Sequence, residues 1–209
     1  MSLLNALKWR YAVKRMNGEQ VPAEKMNQIL ESIQLAPSSL GFTPYTLILV
    51  EDQELKEKLS PACFNQPQIK ESSALIVFAA WKNYSEAQVE DYMHLISKTR
   101  GVDVSTLEGF GGMIKNKINN TSQEELFTWA TKQIYLALGF GLAAAAEAEV
   151  DSTPMEGFNP AGVDEVLGLS EKGLASAAIL ALGYRDAASD YLVNAKKVRR
   201  PLEELVIKY

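Results

Sequence analysis

The chain holds one cysteine, Cys63, and one histidine, His94. A single cysteine excludes an intrachain disulfide and any metal site built from several thiolates. A single histidine excludes histidine-rich metal sites and most imidazole dyads unless His94 itself serves. On its amphipathic stretch His94 reads as a structural or solvated residue, and Cys63 as a small core or loop residue. No metal is expected. Long apolar runs are also missing. The only candidate, residues 134–146, is too short for a bilayer, which needs about 18 residues or more. No basic stretch followed by an apolar run opens the sequence, so the expectation is no signal peptide and a cytoplasmic protein. Positive charge is in deficit, 21 Lys and Arg against 26 Asp and Glu for a net charge of −5. That argues against a protein built to coat nucleic acid or an anionic membrane.

What is present is an ordinary globular composition, 47% hydrophobic and 22% charged over 209 residues. It bounds the chain to one domain, or one domain with an excursion. The dominant stretch is residues 123–158. Leu126, Trp129, Ala130, Gln133, Ile134, Ala137 and Leu138 fall at helical spacing. From residue 134 to 146 there is no charge, and a helix apolar all round is expected to be buried all round. Three strands are predicted at residues 45–50, 74–81 and 175–182; the second is apolar nearly throughout and so central. Shorter helices are predicted at 2–9, from Pro22 to before Pro37, and at 53–59, 84–98 and 160–167. Residues 61–70 read as irregular, 186–197 as a loop, and 202–207 as a short element that could be a strand. Residues 99–112, with glycine at 101, 109, 111 and 112, read as the mobile loop. Helices outweigh strands, giving an α+β class, a small mixed sheet wrapped by helices rather than a doubly wound one.

Gly139-Phe-Gly141-Leu-Ala-Ala144 matches the dinucleotide fingerprint in letters, but it sits inside a helix with no strand before it. Its reading is small residues that allow close helix packing. Two basic clusters stand out: Arg10 with Lys14, and Lys196, Lys197, Arg199 and Arg200 before Pro201. Either can be a solvated face. A nucleic-acid patch normally brings a basic domain with interleaved aromatics, whereas a few cations with arginine forks suit one bound phosphate. Pro37-Ser38-Ser39 supplies hydroxyls and loop amides. Pro154-Met-Glu-Gly-Phe158 supplies a stiff proline, then a glycine that another group can approach closely; that segment is expected to present backbone to a flat cofactor.

Arg10-x-x-x-Lys14, Pro37-Ser-Ser39, Asn65, Pro154-Met-Glu-Gly-Phe158 and Lys197-x-Arg199-x-Pro201, in this order and spacing, resemble the FMN-dependent nitroreductase family, closest to its oxygen-insensitive NAD(P)H nitroreductases. The resemblance covers nearly the whole chain. It implies a nitroreductase-like fold, with a small mixed, mostly antiparallel sheet wrapped by helices. It also implies a homodimer with FMN at the subunit interface and a C-terminal arm exchanged between subunits. Residues 1–209 would form a single FMN-binding domain with a mobile excursion near 84–117. By the family pattern Arg10, Lys197 and Arg199 hold the FMN phosphate, and Lys14 lies near the N1/O2 edge of the flavin. Asn65 bonds the pyrimidine edge, and Pro154 and Met155 pack beside the ring. The amides of Glu156 and Gly157 reach N5 and O4, while Pro37, Ser38 and Ser39 come from the other subunit. Phe64 and Phe110 are candidate substrate-side aromatics. The chain departs from the pattern at Ala12, where a serine is common, at Gln68, where close relatives carry a lysine, and at Leu40-Gly41-Phe42, where a more polar run is expected.

The implied activity passes a hydride from NAD(P)H through flavin N5 to nitroaromatics, quinones or similar oxidants by a ping-pong cycle. No side chain acts as a nucleophile, in keeping with the near absence of His and Cys. Rival readings are flavin, dihydropteridine or dehalogenating reduction on the same fold, a non-catalytic FMN-binding protein, and a nucleic-acid or protein-binding module using Lys196 to Arg200.

Overall fold

The computed structural model describes residues 2–209. Its centre is a four-stranded sheet of β1 (Tyr45–Val50), β2 (Ala74–Trp81), β3 (Asp151–Met155) and β4 (Leu174–Gly183) in the order β1-β2-β4-β3. Every pairing within it is antiparallel. The expected mixed character survives only as one isolated parallel bridge, Ala12 to Ser152.

Side-chain alternation explains why β2 and β4 are apolar nearly throughout. Ile76, Phe78, Ala80, Ala178, Leu180 and Leu182 face one core, shared with α2 (Ala23–Gln34) and α7 (Gln123–Glu147). Leu75, Val77, Ile179 and Ala181 face the other. That second core is completed by Leu59 of α3 (Gln53–Leu59), Ile69 of α4 (Pro67–Glu71) and Val163 of α8 (Pro160–Leu167). Both faces are covered, so the central strands have no polar side to show. Cys63 lies fully buried in the second core, and burial pushes its thiol up to about 11. It is an inert packing residue.

The long helix α7 begins with a reciprocal cap. The Ser122 hydroxyl accepts from the Glu125 amide, and the Glu125 carboxylate accepts from the Ser122 amide. It ends where Glu149 adopts a left-handed φ of 56° and the Val150 amide returns to the Ala145 carbonyl. The chain then enters β3 directly, so the Pro- and Gly-punctuated segment read from the sequence begins, at Pro154 and Met155, as the end of an edge strand.

Four expectations need correction. α7 is not buried all round: Tyr135, Leu136 and Phe140 are 40–47% exposed, and a Cβ on Gly139 would meet nothing within 4 Å. One side of α7 packs on α2 and the sheet; the other joins the exposed Leu3, Leu4 and Leu7 stripe of α1 (Leu3–Trp9) on the surface. The glycine-dense stretch is largely helical. After α5 (Glu86–Arg100) and a left-handed Gly101 cap, α6 runs Glu108–Asn119. Three helical glycines disfavour it by about 1 kcal/mol each. Ile114 and Ile118 buried in a cluster with Val89, Met93 and Ile96 offset that. The stretch read as irregular holds a short 3-10 turn, Pro61–Cys63, and α4. Finally, the possible C-terminal strand is a helical turn, α9 (Leu202–Leu205).

Among the described residues, no helix is long and apolar enough to cross a membrane.

Candidate functional site

The two ends of the chain meet at one cleft. After α1, Arg10 turns extended at φ −68° and ψ 143°. The segment it opens is stitched to the sheet. Ala12 bridges Ser152, Met16 bridges Arg185, and the Val13 carbonyl accepts from Thr153 Oγ1 at 2.5 Å. It covers β3, whose outer edge would otherwise be unpaired. Gly183 is needed at this crossing, because a Cβ there would lie 2.9 Å from Met16 Sδ. From the other direction, residues 192–199 come back past α1. The result is a cleft of ≈ 590 Å³ lined by Arg10, Ala12, Lys14, Pro154, Lys197 and Arg199, with Trp9, Tyr11 and Arg185 beside them. Six positions singled out from the sequence thus converge, although as many as 189 residues separate them along the chain, from Arg10 to Arg199 (199 − 10).

The cleft is electrostatically unbalanced. Burial first, and the neighbouring Arg199 second, pull the Arg10 pKa below its ordinary value. Burial, Arg10 and Arg199 do the same to Lys197. Buried cations depressed by neighbouring cations mark a place where an anion would be stabilised. Arg10 Nε and Ser152 Oγ are buried with no hydrogen-bond partner among the described residues. Lys197 Nζ donates to the carbonyls of Leu7 and, at 3.2 Å, Lys8, so it caps the end of α1 from the cleft wall.

Two buried carboxylates, Asp190 and Asp151, hold this wall in place, each 3% exposed. Asp190 accepts from the Lys14 amide at 2.7 Å, the Leu192 amide at 2.8 Å and the Tyr11 hydroxyl at 3.2 Å. Burial pushes its pKa up, but these donors outweigh burial and leave it below the ordinary 3.8. Tyr11 is pushed up to about 12, by burial first and by Asp190 next. Asp151 receives Arg185 in a fork, with Nε at 3.0 and 2.9 Å from its two oxygens and Nη2 at 2.5 Å.

A second groove, of ≈ 430 Å³, runs along α7 beside Pro154, Met155 and Glu156, with Tyr135, Leu138, Gly139 and Leu142 opposite. Pro154 lines both spaces. Gly157 is tied to the Asn65 turn, because Gln66 Nε2 donates to its carbonyl at 2.6 Å. That turn is strained. Phe64 and Asn65 are consecutive left-handed residues with φ of 55° and 53°, a conformation asparagine tolerates better than phenylalanine. Gln68 is buried at 3% exposure, and its Oε1 has no partner among the described residues.

Other positions lie apart. Pro37, Ser38 and Ser39 line neither space; the Ser39 amide donates to buried Gln133 of α7 at 2.7 Å. Phe64 is 65% exposed. Phe110 packs 6.5 Å from the Tyr92 ring in the α5–α6 cluster. His94 is exposed on α5 and lines a separate cavity of ≈ 380 Å³ between α5 and α6.

Sequence reading missed Asp151, Arg185, Asp190 and Gln66. A signal existed for two of them. Asp151 and Arg185 stand at the end of a long apolar helix and just past an apolar strand, where a charge needs a partner. For Asp190 and Gln66, in polar loops, no local pattern distinguishes them.

The family model described as Nitroreductase family matches residues 7–184. A protein of Staphylococcus haemolyticus named "Putative NAD(P)H nitroreductase" is 32% identical, over 98% of this chain and 96% of its own length. The major NAD(P)H-flavin oxidoreductase of Aliivibrio fischeri is 29% identical, over 98% and 97%. A nitroreductase of Exiguobacterium sibiricum, solved in complex with FMN and titled putative, superposes with a TM-score of 0.83 at 20% identity, over 100% of this chain and 98% of that one. At that identity the likeness establishes the fold.

Proposed function

The chain belongs to the nitroreductase family, and we propose that it is an FMN-dependent oxidoreductase using NAD(P)H to reduce nitroaromatics, quinones or similar oxidants. The observation that carries the reading is the cationic cleft. Arg10, Lys14, Lys197 and Arg199 converge there beside Pro154, and Arg10 keeps a buried Nε without a partner. Those features fit a phosphate monoester attached to a flat ring.

Arg10, Lys197 and Arg199 would hold the phosphate through charge-assisted bonds. Lys14 would place its charge at the edge of the ring that gains negative charge, with Ala12 adding no hydroxyl nearby. Asn65 and Gln68 would meet the polar pyrimidine edge. Pro154 and Met155 would flank the ring, and the amides of Glu156 and Gly157 would face its centre. When bound, FMN would supply the redox chemistry by taking a hydride at N5 and releasing it to the second substrate in a ping-pong cycle.

Pro37, Ser38 and Ser39 would complete the site from a second copy of the chain, with Phe64 and Phe110 toward the substrate. The apolar faces of α1 and α7 support a homodimer. The C-terminal arm supports an exchanged element, since Val198, Leu202 and Ile207 are 71–84% exposed and little among the described residues covers them. We take residues 1–209 as one FMN-binding domain with residues 84–117 as its excursion.

The purified protein is expected to be yellow and to bleach with NAD(P)H in the absence of oxygen. Lys197→Ala combined with Arg199→Ala should release the flavin, with affinity falling about 100-fold for two lost charge-assisted contacts. Full flavin occupancy in that double variant, measured by absorbance after gel filtration, overturns the phosphate assignment. The Aliivibrio fischeri relative's name favours one second reading, free flavin as the oxidant. Added FMN consumed as a substrate, with nitroaromatics ignored, would establish it.

A further inference from the structure

We infer that Arg185 is a positioning residue of the cleft, a fixed cation held over the Trp9 and Tyr11 rings so that Arg10, between them, is kept at the anion site. The inference rests on the FMN reading of that cleft. Arg185 is fixed twice. Its own amide donates to Asp151 Oδ2 at 2.9 Å, and its guanidinium forks the same carboxylate through Nε and Nη2. Asp151 is 3% exposed, at the start of β3 and opposite Gly183 of β4. The guanidinium plane is therefore set by the sheet itself.

The guanidinium carbon lies over two rings. The Trp9 ring centre lies 4.4 Å from Arg185 Cζ and the Tyr11 ring centre 4.7 Å, within cation–π range for both. Trp9 and Tyr11 are the neighbours of Arg10 on either side. Holding both fixes the Cα of Arg10 and the direction in which its side chain leaves the backbone. Tyr11 extends the arrangement, because its hydroxyl reaches Asp190, which also accepts from the Lys14 amide. Lys14 is held separately, through its amide on Asp190, so the mount on Arg185 bears on Arg10 and leaves the ring-edge cation in place. Neither Arg185 nor Asp151 needs to touch the ligand for this to matter.

The competing explanation is a simple latch between β3 and β4. A latch and a mount fail differently. Loosening a latch weakens every ligand alike; loosening the mount weakens the grip on phosphate and spares the ring. Riboflavin, which lacks the phosphate, separates the two.

Arg185→Lys retains a charge opposite Asp151 but loses the fork and the planar face. In titrations of the full chain followed by flavin fluorescence, the variant should bind FMN about tenfold more weakly and riboflavin within about twofold of wild type. Trp9→Leu leaves the Asp151 pair intact and should lower the same FMN-to-riboflavin preference, so the inference survives a failure of Arg185→Lys to fold. Equal weakening of both ligands, or unchanged FMN affinity, in folded variants overturns it. A wild-type protein with no preference for FMN over riboflavin overturns the cleft assignment itself, before any variant is made.

Discussion

Asp190 shows how much a single buried side chain can organise. Among the described residues it forms no salt bridge; backbone amides from both ends of the chain and one tyrosine hydroxyl satisfy it. Its folded pKa is depressed below 3.8. A carboxylate depressed on folding contributes stability that is fully present above its unfolded pKa and is lost as pH falls through the folded value. Asp190→Asn should therefore unfold more readily at pH 7, by about 2 kcal/mol for lost bonds to a charged group. The gap to wild type should narrow as pH drops below the ordinary carboxylate range. Urea melts of both proteins at neutral and acid pH test this, and an equal gap at both pH values would count against it. At this scale the sequence was informative only for residues with a recognisable pattern. Arg10, Lys14, Lys197 and Arg199 could be named because their order and spacing resemble the pattern of the nitroreductase family. Asp190 lies among polar loop residues, and nothing local says that it turns inward.

Among the elements, α7 carries the clearest lesson. Its existence was legible, since the apolar period is local. The meaning of its glycines was only half legible. A Cβ on Gly141 would lie 3.0 Å from Ile33 Cδ1 and 3.3 Å from Leu180 Cδ2, while one on Gly139 would meet nothing. The close-packing reading thus holds for Gly141 within the chain and not for Gly139. Gly141→Ala gains about 1 kcal/mol of helix propensity yet overpacks a contact between α2, α7 and β4, at a cost of about 1–3 kcal/mol. We expect net destabilisation, with part recovered by adding Ile33→Val. A double-mutant cycle in denaturant reads that coupling directly, and zero coupling would place the strain elsewhere. The helix α6 illustrates the opposite limit. Its glycines suggested a loop, but Ile114 and Ile118 had a core waiting in α5, and packing overrode propensity.

Considered as a whole molecule, one chain leaves too much apolar surface uncovered. Leu3, Leu4 and Leu7 of α1, Leu136 and Phe140 of α7, and Val198, Leu202, Leu205 and Ile207 near the C-terminus are all exposed. Contiguous apolar faces of this kind mark interaction surfaces. With Pro37, Ser38 and Ser39 lining neither space, a second copy would cover the faces and complete the site together. For the proposed homodimer, Leu136→Glu with Phe140→Glu should give a monomer in sedimentation velocity and weaken FMN binding with it. Wild-type protein that sediments as a monomer at micromolar concentration would remove this account of both the helix face and the serine loop.

The sequence by itself determined the α+β class, the central strands, the long helix and the family, because each rests on local periodicity or on residue types in a fixed order. It also named the cations of the cleft. Only the tertiary structure decided which side of α7 packs within the chain, that the glycine-rich stretch is helical, and that β3 forms from the segment after α7. It alone placed Asp151, Arg185 and Asp190 behind the cleft. The physical reason is the same in each case. Burial, pairing and charge compensation are made between segments far apart in the chain, and no window of sequence contains both partners.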